Sequence, residues 1–392
     1  MPTFYNFKQD GNTHSFDDVF ISADAFRQGN LWVWGRNSYG SLGINDSGSR
    51  SAPVTTFAGG TNWKSSFSTG GQTEAIKTDG TLWVWGYGGY GALGDNGGGN
   101  RNTPVTTFAG GTNWKQVSTG AAIKTDGTLW VWGGNNVGQL GTNDTTTRYT
   151  PVTTFAGGTN WKQVSTGRGV RAAIKTDGTL WVWGGNNGEA QLGNNDTTAR
   201  SVPVTTFAGG TNWKSVSCGF YHNAAIKTDG TLWGWGANNA TSIGINGGGG
   251  SISTPVTTFA GGTNWKQVTC GYLTTAAIKT DGTLWTWGYD YLPGPPGNAG
   301  ILGNNIFGGS RATPVTTFAG GTNWKQVTNN DLFSYSATKT DGTLWIWGRN
   351  AYGQLGINDT TDRATPVTTF AGGTNWKSVG GCAAIEYIDP VL

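Results

Sequence analysis

The segment "PVTTFAGGTNWK" occurs seven times in this chain of 392 residues without a change in its twelve positions. A second motif, "LWVWG" or a variant of it, recurs in step, and consecutive copies of either motif are 47 to 60 residues apart. That spacing is typical of one four-stranded blade of a β-propeller. One unit cannot bury both of its faces, so the units must stack on one another. The copies begin at Pro53, Pro104, Pro151, Pro203, Pro255, Pro314 and Pro366 for the first motif, and at Leu31, Leu82, Leu129, Leu180, Leu232, Leu284 and Leu344 for the second.

Each unit contains four short segments with the pattern of strands: "AAIKT", "LWVW", "PVTTF" and "WKQVS". The first two are joined by "KTDGT", in which Asp-Gly between apolar stretches predicts a hairpin turn. Proline at the head of "PVTTF" is tolerated at the first residue of a strand. We therefore predict an all-β, seven-bladed propeller of four-stranded blades, with the ring closed by N- and C-terminal strands.

The composition supports a folded chain with a tryptophan-rich core. Only 12% of the residues are charged, about half of the usual share, whereas 21 are tryptophan and 68 are glycine. The formal net charge of +3 is small and scattered, so we expect no nucleic-acid partner. No apolar run is long enough for a membrane helix, and no signal peptide is expected, so we predict no membrane insertion.

Several segments resemble the repeats of the regulator of chromosome condensation family. The resemblance is carried by "WGRNSYGSLG", "WGGNNVGQLG" and "WGRNAYGQLG" at residues 34–43, 132–141 and 347–356, and by "CGFYHNAAIKTDGTLWGWG" from Cys218. It covers about residues 16 to 387 and implies a seven-bladed propeller. It also implies an alternative function, guanine nucleotide exchange on a small GTPase or another intracellular scaffold role, but a shared fold does not by itself assign a function.

Antiparallel strands place successive connections on alternate faces of the disc. The connections "KTDGT" and "AGGTN" then share one face and hardly vary; this is the invariant face. Those after "WKQVS" and "LWVWG" share the other, the variable face, and differ between blades. The identity of the seven copies has two readings, a recent duplication or a symmetric assembly that contacts every copy.

The variable face carries the predicted binding residues, because aromatic and arginine side chains are concentrated in interfaces. The alternative is that they fill the centre of the disc. The predicted residues are Arg168, Arg171, Phe220, Tyr221, His222, Tyr272, Leu273, Tyr289, Tyr291, Asp331, Phe333 and Tyr335.

Catalytic and metal-binding patterns are weak. The chain has two histidines, His14 and His222, and its cysteines lack the spacing of metal ligands. In the "LGxND" loops an aspartate precedes an arginine by four residues. The fifth repeat, with "IGINGGGGSIS" at residues 243–253, lacks both, which favours an Asp–Arg pair over a calcium site. We therefore expect no enzyme activity, no catalytic residues, no cofactor and no metal.

An N-terminal and a C-terminal segment of the chain both match the first two strands of a repeat, and seven blades have room for one of them. Trp376–Ile388 matches the consensus better than Phe16–Trp32, so we predict that the C-terminal segment closes the ring. Residues 1–30 then form an N-terminal arm with a divergent half-repeat, and residues 31–392 form the propeller. The arm is acidic and aromatic, and its predicted assembly residues are Phe4, Tyr5, Phe7, Phe16 and Phe20.

These observations predict a non-enzymatic binding or structural module with protein partners on the arm and the variable face, or a glycan there. The first 32 residues also resemble, over a short stretch, the heads of phage structural proteins. We accordingly predict a component of a virion or of an extracellular surface.

Overall fold

The computed structural model describes residues 29–69, 71–185, 188–290, 299–330 and 333–388. These residues form seven antiparallel sheets of four strands each, arranged as the blades of a propeller. The predicted all-β, seven-bladed fold is therefore confirmed. None of the helical segments among the described residues has the length and hydropathy of a membrane-spanning helix. The arm residues Phe4, Tyr5, Phe7, Phe16 and Phe20, together with Tyr291 and Asp331, lie outside the described residues.

The strands of each blade follow one another along the chain, except in blade one, where both ends of the chain contribute. Blade one contains β1 (Gly29–Gly35), β2 (Arg50–Thr55), β27 (Trp376–Val379) and β28 (Ala383–Tyr387). Blades two to four contain β3 (Trp63–Thr69), β4 (Gln72–Lys77), β5 (Leu82–Gly86), β6 (Arg101–Thr106), β7 (Trp114–Ser118), β8 (Ala121–Lys124), β9 (Leu129–Gly133), β10 (Arg148–Thr153), β11 (Trp161–Thr166), β12 (Val170–Lys175), β13 (Leu180–Gly184) and β14 (Arg200–Thr205). Blades five to seven contain β15 (Trp213–Cys218), β16 (His222–Lys227), β17 (Leu232–Ala237), β18 (Ser251–Thr257), β19 (Trp265–Cys270), β20 (Thr274–Lys279), β21 (Leu284–Tyr289), β22 (Ser310–Thr316), β23 (Trp324–Asn330), β24 (Ser334–Lys339), β25 (Leu344–Gly348) and β26 (Arg363–Thr368).

The "KTDG" hairpins are built by one aspartate and one glycine. In blade two, Asp79 Oδ1 accepts hydrogen bonds from the amide and the hydroxyl of Thr81, at 2.9 and 2.7 Å. These bonds lower the pKa of the Asp79 carboxyl. Gly80 has a φ of +79°, and a Cβ there would lie 2.0 Å from the carbonyl oxygen of Thr112, in the connection that leads from blade two to blade three. Only glycine fits this turn, which also sets the contact between neighbouring blades.

Tryptophans fill the space between blades. Trp63 of β3 and Trp85 of β5 are almost completely buried and pack edge to face, with centroids 6.2 Å apart. They belong to a core cluster that also contains Leu31 and Ile385 of blade one. The indole Nε1 of Trp63 donates to the carbonyl of Gly59 at 3.0 Å, so its polar atom is satisfied.

A lysine lies against two indoles in six of the blades. In blade two, Lys77 Nζ lies 4.7 Å from the ring centroid of Trp63 and 4.5 Å from that of Trp83. These distances are in the range of cation–π attraction. In blade one, the equivalent residue is Glu386, and its Oε2 accepts a hydrogen bond from Trp32 Nε1 at 2.8 Å. The blade that joins the two ends is thus chemically distinct from the other six.

The C-terminal strands complete blade one. Strand β28 pairs with β1 in antiparallel register, with Leu31 opposite Ile385 and Val33 opposite Ala383. Strand β27 continues the sheet beyond β28, which gives the order β2-β1-β28-β27. The predicted closure by the C-terminal segment is confirmed. Strand β1 begins at Gly29, two residues before the predicted start of the propeller at residue 31.

Removal of residues 376–392 should abolish the cooperative unfolding transition, because it removes two strands of blade one and exposes the faces of both neighbours. Removal of residues 1–14 should leave the melting temperature within about 2 °C of the parent value, since none of the strands described for the seven blades includes these residues. Both variants are compared by near-ultraviolet circular dichroism during heating. A C-terminal deletion that melts like the parent would contradict closure by β27 and β28.

Candidate binding surface

The variable face holds the connections between the first and second strands of each blade and those between the third and fourth. In blade three the first of these has two residues between β7 and β8, whereas in blade five it contains Phe220 and Tyr221. Neighbouring connections touch, since the amide of Phe220 donates to the carbonyl of Gly271 at 3.1 Å. The variable side chains are therefore brought together near the centre of this face.

Four residues from blades four, five and six form a compact cluster. The guanidinium carbon of Arg168 lies 4.4 Å from the ring centroid of Phe220. The Phe220 ring lies 4.6 Å from that of Tyr221 and 4.7 Å from that of Tyr272. Arg168 also donates from Nη1 to the Tyr221 hydroxyl at 3.3 Å. These contacts hold the side chains in fixed positions, which lowers the entropy cost of binding a partner.

The cluster continues into blades seven and one. The Tyr272 ring lies 5.1 Å from that of Phe333. The guanidinium of Arg349 lies 5.8 Å from the Phe333 ring and 5.8 Å from the Tyr352 ring. The guanidinium of Arg36 in blade one lies 5.0 Å from the same Tyr352 ring. We call this continuous series the aromatic arc; its members are Arg168, Phe220, Tyr221, Tyr272, Phe333, Arg349, Tyr352 and Arg36.

The arc is accessible to solvent, and the phenol of Tyr272 is neutral. Arg168 is exposed, Tyr352 is 41% exposed, and Phe220, Tyr221 and Tyr272 are partly buried. The Tyr221 hydroxyl, 3.5 Å from that of Tyr272, is the main cause that raises the pKa of Tyr272 to about 12, and burial adds to it. The neutral Tyr272 hydroxyl can donate and accept hydrogen bonds while its ring supplies apolar area, as in protein interfaces.

A central cavity of about 560 Å³ adjoins the arc. Its wall is formed by the ends of the first strands of blades two to seven, with hydroxyls such as those of Ser165, Ser217 and Thr269. Cys218 and Cys270 also line it, and burial raises the pKa of both thiols, so they stay uncharged. Arg168 and Phe220 belong to both the cavity wall and the arc.

Three predicted binding residues lie beneath the surface. Tyr335 is 0% exposed, stacks on Trp347 with centroids 5.6 Å apart, and shares a hydrogen bond of 2.9 Å with the Thr274 hydroxyl. His222 is 1% exposed, and its Nε2 lies 2.7 Å from the Thr275 hydroxyl. Burial lowers the pKa of His222 to about 3, so the imidazole is neutral. Arg171 is 8% exposed.

Strand length explains the burial of these three residues. The second strands begin at Val170, His222, Thr274 and Ser334, two residues before the "AAIK" segments from which they were predicted. Arg171 and Tyr335 therefore lie opposite the buried tryptophans of the third strands rather than in connections. Of the remaining predicted residues, Leu273 and Tyr289 are partly buried at the variable face.

Arg171 belongs to a buried polar cluster with Glu74 of blade two. Glu74 is 1% exposed, and its Oε1 accepts hydrogen bonds from the amide of Gly120 at 2.9 Å and from Gln72 Nε2 at 3.0 Å. Arg171 donates to the carbonyls of Gln139 and Gly120. The short connection of blade three leaves room for both side chains. Burial is the main cause that raises the pKa of Glu74 to about 8, and it lowers that of Arg171 to about 10.

The aspartates and arginines of the "LGxND" loops pair as predicted. Arg50 Nη2 lies 2.5 Å from Asp46 Oδ2, and the equivalent pairs Arg148–Asp144, Arg200–Asp196 and Arg363–Asp359 have distances of 2.5 to 2.6 Å. Asp46 Oδ1 also accepts a bond from the amide of Gly48, which is the main cause of its lowered pKa. Among the described residues, no group of three or more His, Cys, Asp and Glu side chains is placed to hold a metal.

Sequence reasoning missed part of the arc and the buried acid. Arg36, Arg349 and Tyr352 lie in the "WGRNSYG" and "WGRNAYG" segments, which were assigned to the repeat signature. The equivalent segment of blade three, "WGGNNVG", has neither arginine nor tyrosine. This difference indicates that the arginines and the tyrosine are not required by the repeat itself. Among the seven copies of the "AAIK" segment, Glu74 is the one acidic residue at the first alanine position, and this is the signal that identifies it.

Comparison with known proteins establishes the family. The sequence model of the RCC1-like domain family matches residues 30–383. The chain belongs to the RCC1-like domain family. The ultraviolet-B receptor UVR8 of Arabidopsis thaliana is 30% identical over 200 residues, which cover 50% of this chain and 42% of UVR8. The mitochondrial RCC1 domain-containing protein RUG3 of the same plant is 27% identical over 374 residues, covering 91% of this chain and 71% of RUG3.

A solved structure agrees with the RCC1-like fold. Prp20p of Saccharomyces cerevisiae superposes with a TM-score of 0.75 at 16% identity, covering 92% of each chain. At this identity the likeness establishes the seven-bladed architecture alone. The predicted resemblance to the regulator of chromosome condensation family is confirmed by the family match.

The Glu74 carboxyl predicts a pH dependence of stability. Its pKa is raised from 4.5 to about 8, so between these values the folded protein holds a proton that the unfolded chain has lost. The free energy of unfolding should then fall as pH rises through this window, by up to about 1.4 kcal/mol per pH unit, and level off above it. Arg171 keeps its charge throughout the window. Glu74→Gln should remove this dependence, so the variant gains stability over the parent between about pH 5 and 8.

Urea unfolding of the two proteins at pH 5, 6, 7 and 8 measures the difference. Glu189→Gln is the matched control, because it removes the same charge from a partly exposed position. Parallel pH profiles for the parent and Glu74→Gln would contradict the prediction.

Proposed function

We propose that this RCC1-like propeller is a non-enzymatic protein-binding module whose partner docks on the aromatic arc of the variable face. The observation that carries the proposal is the arc itself, a series of partly exposed aromatic rings and arginines fixed by mutual contacts. Tyrosine and arginine are the residues that most often dominate binding energy in protein interfaces. Blade three contributes no residue to the arc and still forms a complete four-stranded sheet.

Blade three is an internal comparison for the alternative that the variable side chains serve only to fill the centre of the disc. Its connection between β7 and β8 contains only Thr119 and Gly120, yet β7, β8, β9 and β10 form a complete sheet. The larger connections of blades four to seven therefore exceed what the fold needs. A cavity of about 560 Å³ also remains next to the arc, so the aromatic side chains leave the centre of the disc partly open.

The titratable groups near the variable face do not favour a catalytic function. The buried, neutral His222 is held by Thr275 and cannot exchange protons with a substrate at neutral pH. The Glu74 carboxyl is buried below the surface. Neither group meets the requirement that a general acid or base reach its substrate directly. We therefore propose that the protein has no catalytic residues and needs no cofactor.

Relatives favour a protein partner over a glycan. The structure of Prp20p is described together with its binding to Gsp1p and histones, which are proteins. Regulation of a small GTPase is the alternative function, and its support is the family alone. The N-terminal arm, with its five aromatic residues between Phe4 and Phe20, is proposed as a second contact. RUG3 is named as mitochondrial, and the comparisons give no support to the predicted virion or extracellular location.

A photo-crosslinking amino acid at position 221 should capture the partner in cells that produce the protein. The same amino acid at position 146, an exposed loop residue outside the arc, should not. Arg168→Ala should reduce capture at position 221, because Arg168 fixes both Phe220 and Tyr221. Equal capture at both positions, or none at position 221, would contradict the arc as the docking surface.

Affinity for the captured partner should then fall at least about 100-fold in a variant with Phe220, Tyr221 and Tyr272 replaced by Ala, since hot-spot aromatics contribute about 2 kcal/mol or more each. Its melting temperature should stay close to the parent value, because all three side chains are partly exposed. Tyr335→Ala is the matched contrast: this fully buried ring should cost about 3–5 kcal/mol of stability.

The alternative function has its own test. Purified protein should not accelerate the release of a fluorescent guanine nucleotide from Gsp1p, with Prp20p as the positive control. The expected rate is that of Gsp1p alone. A stimulated rate that is lost in the Phe220, Tyr221 and Tyr272 variant would replace the present proposal with a GTPase regulator acting through the same arc.

A further inference from the structure

Seven phenylalanines are exposed at equivalent positions of the invariant face. Each belongs to a copy of "PVTTFAGG", and their exposed fractions range only from 62% to 65%. Isolated exposed apolar residues are common, but seven equivalent large ones on one face are not. A recent duplication would explain why the seven are alike but not why the unit exposes a large apolar ring. The residues are Phe57, Phe108, Phe155, Phe207, Phe259, Phe318 and Phe370.

These phenylalanines lie in turns just beyond the outer strands. In blade one, the amide of Gly59 donates to the carbonyl of Thr56 at 3.0 Å, which closes a turn with Phe57 at its first corner. The same bond closes the other six turns at 3.0 to 3.1 Å. Because the blades are related by an approximate sevenfold rotation, the seven turns lie at one height around the rim. A flat surface can therefore meet all of them at once.

A ring of lysines lies inside the ring of phenylalanines. Each lysine follows the buried tryptophan at the start of a first strand, as Lys64 follows Trp63. Six of them are exposed, and within the described part of the chain none of these six forms an ion pair. The six are Lys64, Lys115, Lys162, Lys214, Lys266 and Lys325, and the partly buried Lys377 completes the ring.

The invariant face is strongly positive although the whole chain is nearly neutral. Its motifs contain thirteen lysines against six "KTDG" aspartates and Glu386, a net charge of +6. The chain as a whole has +3, so the remaining residues together carry −3. Each "KTDG" aspartate offsets the charge of the lysine two residues before it, as Asp79 does for Lys77. The unbalanced charge is that of the inner lysine ring.

We propose that the invariant face docks on an anionic lipid surface, with the lysine ring against phosphate headgroups and the phenylalanine ring at the boundary of the acyl chains. Basic residues near anionic lipids and aromatic residues at the interface are the two attractions that hold proteins on membranes. A flat bilayer contacts every blade equally, which a partner without sevenfold symmetry cannot do. A second copy of the chain fits less well, because two faces of like charge repel.

This site is independent of the proposed function, since it leaves the aromatic arc on the opposite face directed away from the lipid. Sedimentation with vesicles tests it. The full chain should bind vesicles of phosphatidylcholine and phosphatidylserine in a 3:1 ratio and not vesicles of phosphatidylcholine alone. Binding should weaken as salt is raised, because exposed charges are screened.

Two variants separate the contributions of charge and apolar area. Replacing Lys115, Lys162 and Lys214 by Gln should lower the partition coefficient roughly 100-fold, given the usual contribution of a lysine near an anionic surface. Replacing Phe108, Phe155 and Phe207 by Ser should lower it at least about tenfold. The matched control replaces three exposed aromatics of the opposite side, Tyr39, Tyr90 and Tyr149, by Ser and should bind like the parent.

Three outcomes would overturn the proposal. One is that neither vesicle composition binds the parent. Another is that the phenylalanine variant binds as well as the control. The third is that the parent binds no vesicles but dimerises with rising concentration in analytical ultracentrifugation, and that the phenylalanine variant does not dimerise. That result would assign the invariant face to contact with a second copy of the chain. Circular dichroism of each variant checks that the fold is intact.

Discussion

Packing of tryptophans between adjacent blades is the interaction on which the rest of the structure depends. In each blade the tryptophan of the first strand lies against one of the third strand of the same blade, as Trp63 lies against Trp83 with centroids 6.2 Å apart. Between blades, Trp63 and Trp85 of blade two pack in one cluster with Leu31 and Ile385 of blade one. Each indole buries a large apolar area, and the Nε1 atoms of Trp63 and Trp34 donate to backbone carbonyls.

This interaction also explains how the ring closes and why the faces can differ. Strand β28 brings Ile385 into the same cluster as Trp63 and Trp85, so the C-terminus is held by the core rather than by a loop. Long variable connections are not needed to form a blade, since β7 to β10 make a complete sheet with two residues between β7 and β8. Blade three keeps a minimal connection, whereas blades four to seven use the same place for the arc. The invariant connections instead set the contact between blades, as Gly80 does against Thr112.

The two faces give the protein two different kinds of surface. One presents an individual set of aromatic and arginine side chains suited to a specific protein partner. The other repeats a single chemistry seven times, with lysines inside and phenylalanines at the rim. A specific partner needs asymmetry, and an extended surface such as a bilayer needs only repetition. A propeller with both could hold a protein partner next to a membrane.

The sequence by itself determined the number of blades, the strands of each blade and the closure by the C-terminus. These follow from local signals: the Asp-Gly turns, the alternation of apolar residues, and the better match of residues 376–388 to the repeat. Only the tertiary structure decided which variable residues reach solvent. Tyr335 and Phe333 are two residues apart, yet Tyr335 pairs with Trp347 inside the blade while Phe333 contacts Tyr272 on the surface. The contact of Arg349 and Arg36 with one tyrosine likewise depends on the ring, which places blades seven and one side by side although their residues are more than 300 positions apart.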